Sequence, residues 1–158
     1  MLYDPKLESV FGYRGEYYFL SNFYPQMDPV SEIFKGVYIE YPTVEHAYQA
    51  SKSLDARVRM SIASQTTPGG SKRQGRSISC RSDWESIKDD VMLHWVREKF
   101  AQAHAQRLLL ATGRRQLIEA NNHGDTYWGT DQFGDGRNQL GETHMQVRYE
   151  IALDIGVW

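Results

Sequence analysis

Three short segments, far apart in the chain, mix aromatic rings with carboxylates and amides: Tyr18-Phe19-Leu20-Ser21-Asn22-Phe23, Glu45-His46-Ala47-Tyr48-Gln49-Ala50-Ser51-Lys52, and Gly124-Asp125-Thr126-Tyr127-Trp128-Gly129. A core alone needs no such mixture. Rings beside hydrogen-bonding groups suit a polar, hydroxylated, ring-shaped ligand such as a nucleotide or ribosyl base, where stacking and hydrogen bonding act together. In the second segment Glu45, Gln49 and Lys52 fall at i, i+4 and i+7, which on a helix stacks them in one narrow stripe. Glu45 and Lys52 would then stand roughly 10 Å apart along the axis, too far for a direct pair but placed to grip one ligand from two sides. A lysine in a partly apolar pocket can lose its proton and attack an electrophilic carbon. At an aldehyde-level carbon, such as the anomeric carbon of ribose, the product is a Schiff base.

The third segment adds a further acid. Asp125 lies in a glycine-rich, aromatic stretch beside Tyr127 and Trp128, surroundings that suit a general acid protonating a leaving group. Glu119 precedes it closely, and two carboxylates in different environments can divide acid and base work. The plainer alternatives are a solvated helical face for Glu45 to Lys52 and helix caps or loop braces for the carboxylates. Downstream, Gly134-Asp135-Gly136-Arg137-Asn138-Gln139-Leu140-Gly141 presents backbone amides and Arg137 just before a helix start, a candidate phosphate cradle.

Several familiar sites are missing. There is no Gly-x-x-x-x-Gly-Lys-Ser/Thr loop, no Gly-x-Gly-x-x-Gly, no His-Glu-x-x-His and no paired-cysteine pattern. The five histidines lack ligand spacing, so neither a metal nor a cofactor is expected. Cys80 reads as an inert small residue rather than a nucleophile; being the single cysteine, it forms no internal disulfide, which fits a reducing compartment. With no apolar run long enough to span a bilayer and no signal pattern, a soluble, cytoplasmic protein without membrane contact is expected.

The chain has 158 residues and a net charge of −2. The charge is unevenly spread. Arg57, Arg59, Lys72, Arg73, Arg76 and Arg81 crowd the stretch from Ala56 to Ser82, which holds no acidic residue, so the remainder is strongly acidic. A local basic surface on an acidic protein points to a specific anionic partner or, alternatively, to a solvated helical surface.

These groups need elements to place them. Residues 11 to 24 read as a strand or strand pair turning at Gly12 and Gly15, and Gly36 to Tyr41 as a strand ended by Pro42, giving a small antiparallel sheet. Thr43 caps a helix to about Leu54, a further helix runs from Asp55 to Gln65, and Thr66 to Gly70 breaks the chain before a basic helix at 71 to 77. Ser82-Asp83-Trp84-Glu85 offers a capping box for the longest helix, with Ile87, Val91 and Trp95 on one row and Met92, Val96 and Phe100 on the next. His104 to Ala111 is helical and stops at Thr112-Gly113. Gln116 to Ala120 is a strand or a helix start, residues 121 to 138 an ordered loop, and Gln139 to Leu153 an amphipathic helix.

Taken in order, Phe19-Leu20-Ser21-Asn22-Phe23, Glu45-His46-x-x-Gln49-Ala50-x-Lys52, Asp83-Trp84-x-x-x-Lys88-x-x-x-Met92, Lys99-Phe100, Leu109-Leu110-x-Thr112-Gly113, Asp125-x-x-Trp128-Gly129 and Asn138-x-Leu140-Gly141-x-x-x-Met145-x-x-Arg148 resemble the NADAR, or YbiA-like, superfamily. The resemblance covers about residues 11 to 150. It implies one α+β domain over residues 1 to 158, mostly helical with a small antiparallel sheet, and a hydrolase acting on N-glycosidic bonds of ribose derivatives. Glu45, Lys52, Trp84, Glu119 and Asp125 align with site positions of the family, Lys52 being the candidate for a transient Schiff base, and Asn22 matches a ligand-contacting amide. The 124 to 141 segment departs from the commoner family wording Gly-x-Gly-x-Asn-x-Leu-Gly, which bears on substrate choice.

The combined expectation is an enzyme that removes ADP-ribose from modified guanine bases in DNA. Ser21, Asn22, Phe23, Gln49, Trp84, Tyr127, Trp128 and Asn138 hold ribose and base, and Arg73, Arg76 and Arg137 hold the pyrophosphate. Lys52, Glu45, Asp125 and Glu119 carry the chemistry. Two alternatives remain: a glycosidase for ribosylaminopyrimidine intermediates of riboflavin synthesis, and a non-catalytic module that binds ADP-ribose.

Overall fold

In the computed structural model residues 2–158 are described, and the fold is α+β, mostly helical with a small antiparallel sheet. The order is β1 (Val10–Phe11), a 3-10 turn (Gly15–Leu20), β2 (Val30–Phe34), β3 (Val37–Tyr41), α1 (Val44–Ala50), α2 (Ala56–Ala63), α3 (Pro68–Ser77), α4 (Trp84–Ala101), α5 (Ala103–Ala111), β4 (Leu117–Ile118) and α6 (Gln139–Asp154). Packing groups these into two compact units, Asn22–Lys99 and a second formed by the residues up to Ser21 with Phe100–Trp158. Among the described residues no helix is long and apolar enough to cross a membrane.

In the Asn22–Lys99 unit, β2 and β3 form an antiparallel hairpin in register from Val30 opposite Tyr41 to Phe34 opposite Val37. Lys35 and Gly36 turn it with φ of 49° and 78°, the left-handed pair that a two-residue hairpin turn requires. Glu32 on β2 accepts from the Tyr41 hydroxyl at 2.6 Å and from Arg59 Nη1 at 2.9 Å. Arg59 is buried and stacks 3.6 Å over the Phe34 ring, so it is removed from the expected anion-binding surface.

Helix α1 begins as expected, with Thr43 Oγ1 accepting from His46 N at 3.2 Å. His46 Nε2 lies 2.9 Å from the Gln65 carbonyl, which only accepts, so Nε2 carries the proton and the Thr43 hydroxyl donates to Nδ1 at 2.8 Å. Burial holds the pKa of this imidazole below its usual value, and its role is to tie α1 to the end of α2. The helix stops at Ala50 rather than near Leu54. The Ser51 hydroxyl donates to the Ala47 carbonyl at 2.7 Å, and the chain closes in tight i to i+3 bonds from Lys52 N to Gln49 O and from Ser53 N to Ala50 O. A serine hydroxyl competing for a helical carbonyl favours such an ending. Lys52 therefore sits in a turn just beyond the helix instead of on its stripe.

Asp55 caps α2 by accepting from Arg57 N at 2.8 Å. The segment read as a break is the start of α3: Thr67 Oγ1 accepts from Gly70 N at 3.0 Å and Pro68 occupies the first turn, where its missing N–H costs nothing. Helix α4 is the longest, at 18 residues, and buries Met92, Trp95, Val96 and Phe100. It opens at Trp84, while Asp83 is engaged by Arg81 through two contacts of 2.6 and 2.9 Å. Trp95 Nε1 donates to Ser51 Oγ at 2.9 Å and its ring meets Tyr41 edge-on at 5.5 Å.

In the other unit, residues 15 to 20 are a 3-10 turn and not a strand, and only Val10–Phe11 pairs, in parallel, with Leu117–Ile118. The aromatic clustering that suggests strands instead supplies Tyr13 and Phe19 to the core, beside Leu20. Helix α5 stops at Thr112, as expected. The buried face of α6 is not purely apolar: His144 meets the Tyr13 hydroxyl at 3.0 Å, and Arg148 donates to Thr112 Oγ1 at 2.8 Å and to the Leu2 carbonyl at 3.2 Å. Burial lowers the pKa of Arg148 to about 10.

Candidate active site

The Asn22–Lys99 unit assembles one constellation around the turn after α1. Lys52 Nζ lies 5.6 Å from the centre of the Tyr48 ring and 5.9 Å from that of Trp84, two rings 5.1 Å apart and tilted by 59°. Tyr48 comes from α1 and Trp84 from the first turn of α4; both are buried. One turn back, Glu45 is buried and accepts from Gln49 Nε2 at 2.8 Å. Asn22 is joined to the same helix, its backbone carbonyl accepting from Glu45 N at 3.0 Å. The Asn22 amide oxygen is buried with no hydrogen-bond partner among the described residues, an acceptor held without a donor. Its Nδ2 makes a 3.5 Å contact to Met92 Sδ.

The electrostatics favour a reactive amine. Burial lowers the pKa of Lys52 below the usual lysine value; Arg76 and Lys72 push the same way, while Glu45 and Cys80 oppose them. The two cations come from α3, where Lys72 also lies 6.0 Å over the Phe23 ring and Arg73 and Arg76 are exposed. Of the six basic residues between Ala56 and Ser82, Arg59 is committed to Glu32 within the fold and Arg81 pairs with the exposed Asp83, while Lys72, Arg73 and Arg76 line one helix. Tyr48 is the addition that sequence reading missed, and Lys72, read from sequence only as part of the basic stretch, is close enough to act on Lys52. Tyr48 lies one turn before Lys52, a spacing that places both toward the same side.

The proximity of Arg76 yields a signed expectation. Were Lys52 to act as a nucleophile, it would have to be unprotonated, and kcat would rise with pH through its pKa; removing a cation that lowers that pKa would move the rise to higher pH. Arg76→Gln therefore shifts the midpoint of the kcat profile upward under saturating substrate, and an unmoved midpoint or one displaced to lower pH rejects this coupling.

The other unit holds the remaining candidates in a braced loop. Ser21 ends the 3-10 turn with its N–H on the Tyr18 carbonyl at 2.9 Å. Asp125 Oδ1 accepts from Tyr127 N at 3.1 Å and Trp128 N at 2.9 Å, and Asn121 brackets Asp125 by accepting from its N–H at 3.1 Å and donating to its carbonyl at 2.7 Å. These bonds fix the carboxylate, so the loop-brace role is real whatever else Asp125 does. Asn138 is buried at φ 52°, its Oδ1 accepting from Glu119 N at 2.9 Å and its Nδ2 donating to the Leu117 carbonyl at 2.9 Å. Both ends of its amide are thus engaged by the fold, one bond each, which leaves it less free for a ligand than its sequence suggests.

The expected phosphate cradle is also corrected. The N–H groups of Arg137, Asn138, Gln139 and Leu140 donate to the carbonyls of Thr126, Gly129, Tyr127 and Trp128 at 2.8 to 3.1 Å. The start of α6 has no amide left over at those positions for an anion. This strap passes close to Gly129, where a Cβ would stand 2.1 Å from the Glu119 carbonyl. The exposed Arg137 guanidinium stacks 4.6 Å over Tyr127, whose ring meets Trp128 edge-on at 5.1 Å. Beside Tyr127 and Arg137 lies a cleft of about 510 Å³. Among the described residues no group of three His, Cys, Asp or Glu is arranged to hold a metal ion.

The NADAR domain profile matches residues 10–152. The chain is 40% identical over 117 residues to the N-glycosidase YbiA of Escherichia coli K12, covering 72% of each. It is 38% identical over 125 residues to the N-glycosidase Npun_R5314 of Nostoc punctiforme, covering 73% of this chain and 80% of the relative. It is 39% identical over 139 residues to the riboflavin biosynthesis protein VVA0006 of Vibrio vulnificus, covering 84% of this chain and 35% of that longer protein. The fold matches the NMR structure of the E. coli protein YbiA with a TM-score of 0.73 at 32% identity, over 98% of this chain and 94% of that one. With the profile spanning nearly its whole length and a solved relative sharing its fold, the chain belongs to the NADAR domain family.

Proposed function

We propose that this N-glycosyl hydrolase removes ADP-ribose from modified guanine bases, in DNA, through an imine on Lys52, and that residues 1–158 act as one cytoplasmic catalytic domain. The observation that carries the reading is the Lys52 amine, set beside the Tyr48 and Trp84 ring pair with its pKa lowered by burial. A protein that only held an anionic ligand gains little from destabilising the charge of a lysine.

In this mechanism the Lys52 Nζ lone pair forms a bond to the anomeric carbon as the bond from that carbon to the base nitrogen breaks. The departing nitrogen takes a proton from a carboxyl group, for which Glu45 is the candidate in the unit that carries Lys52. Transfer of an Nζ proton to the ring oxygen opens the ribose and leaves the imine. Water then adds to the same carbon, the carbon to Nζ bond breaks, and the free sugar and the amine are restored. Tyr48, Trp84 and Phe23 supply stacking surface, the unpartnered Asn22 oxygen takes a donor from the ligand, and Lys72, Arg73 and Arg76 meet the pyrophosphate.

A second reading is supported by the name of the Vibrio relative: a glycosidase for ribosylaminopyrimidine intermediates of riboflavin synthesis, whose single phosphate the same cations suit. Incubation with an oligonucleotide carrying ADP-ribose on guanine, followed by mass spectrometry, separates the readings. Free ADP-ribose with restored guanine is expected. An intact oligonucleotide together with cleavage of a ribosylaminopyrimidine phosphate transfers the assignment to the second reading. Thermal stabilisation by ADP-ribose with neither substrate cleaved makes the protein a binding module.

A further inference from the structure

Helix α3 approaches α1 at one glycine. A Cβ built on Gly75 would lie 1.9 Å from Gln49 Oε1, 2.8 Å from Gln49 Cδ and 3.1 Å from Gln49 Cβ. No real side chain tolerates the first two distances, so any other residue at position 75 must drive the Gln49 amide out of its place. Gly75 is buried within α3 and is not among the positive-φ glycines, so backbone conformation does not demand glycine there; the close approach to Gln49 does.

The Gln49 amide is itself under tension between two duties. Its Nε2 donates to Glu45 Oε1 at 2.8 Å, whereas its Oε1 is buried, faces the bare Cα of Gly75 and has no hydrogen-bond partner among the described residues. The amide cannot turn over to improve matters, because that would set an oxygen against the Glu45 carboxylate. Holding a buried acceptor without a donor costs about 1–3 kcal/mol, and it fixes which end of the amide meets Glu45. The same close approach keeps Lys72 and Arg76, one turn or less from Gly75 on α3, within electrostatic reach of Lys52.

We infer that Gly75 is a positioning residue of the active site: its missing side chain is the socket that holds the Gln49 amide on Glu45 and sets α3 with its cations at working distance from Lys52. The inference rests on the Lys52 and Glu45 reading given above. Gly75→Ala displaces Gln49, loosens Glu45 and moves α3 outward. Geometric errors of about 1 Å at a reacting centre cost on the order of 100-fold in rate, and a loss of that size in kcat/KM is expected.

A double-mutant cycle with Gln49→Ser tests it. Truncation at position 49 removes Cδ and Oε1, the two atoms that the new methyl would strike, so Gly75→Ala in that background should fold and should cost less than about threefold beyond Gln49→Ser alone, within the range of independent error. In the otherwise native chain, Gly75→Ala should lower both kcat/KM and the yield of borohydride-trapped adduct and should displace the pH profile of kcat, which a purely structural defect would not move. If Gly75→Ala retains native kcat/KM, or if its full loss recurs on top of Gln49→Ser, the inference fails. Should Gly75→Ala not fold alone, the comparison of the double variant with Gln49→Ser still decides, because only a clash confined to Gln49 is relieved there. Loss of the Lys52 reading shows separately, as undiminished activity in Lys52→Ala.

Discussion

Lys52→Arg leaves a folded protein that binds substrate and does not turn it over: kcat falls by at least about 10³-fold, as expected when a covalent nucleophile is lost, and sodium borohydride captures no sugar adduct. Arginine is the informative replacement because it keeps a positive charge against the Tyr48 and Trp84 rings, which lie 5.6 and 5.9 Å from Lys52 Nζ. What arginine cannot do at any working pH is give up its proton and become a nucleophile. A charge needed only for binding would survive the change, whereas an amine needed for bond formation would not. Intact-mass analysis after borohydride treatment, alongside single-turnover rates, reads both. Turnover within tenfold of the native enzyme would remove Lys52 from the covalent role.

Trp95→Ala is expected to destabilise the fold by about 3–5 kcal/mol, the range for deleting a large buried ring, measured as a lowered urea midpoint with an unchanged slope. The ring is 2% exposed and packs edge-on to Tyr41. Its Nε1 also holds Ser51 Oγ, and Ser51 in turn donates to the Ala47 carbonyl. Trp95 thereby pins the turn that carries Lys52. Trp95→Phe keeps most of the buried area and gives up the hydrogen bond, so its stability loss should be near 1 kcal/mol while kcat falls by a disproportionate margin. If Trp95→Phe loses stability and keeps native kcat, the pin has no bearing on Lys52.

How far the amino-acid string foretold this arrangement depends on the range of the forces involved. Thr43, Asp55 and Thr112 were legible as helix ends because a cap is a contact between residues two or three apart. Lys52 was placed on the α1 stripe because helical spacing runs on until something stops it, and the stop is a Ser51 hydroxyl whose partner, Trp95, is 44 residues away. Pro68-Gly69-Gly70 read as a break because proline and glycine weaken helix interiors, yet at a first turn proline is tolerated, and Gly70 answers to the Thr67 cap. The Gly75 contact with Gln49 left no local trace, since nothing in a ten-residue basic helix announces which face will meet α1. Arg59 reads as surface charge in sequence, and its burial depends on Glu32, 27 residues upstream. The engagement of Asn138 and of the α6 amides was not legible, because it depends on a loop folding back on itself.

That self-bonded loop has a bearing on how such proteins diversify. Its shape is written in main-chain groups, the Asn121, Asp125 and Asn138 side chains and the bare Gly129, whereas Asn122, His123, Thr126, Gln132, Phe133 and Arg137 are exposed. The exposed set can be rewritten without disturbing the scaffold, so the segment is a mount with interchangeable fittings: its rim can change while Asp125 stays where it is.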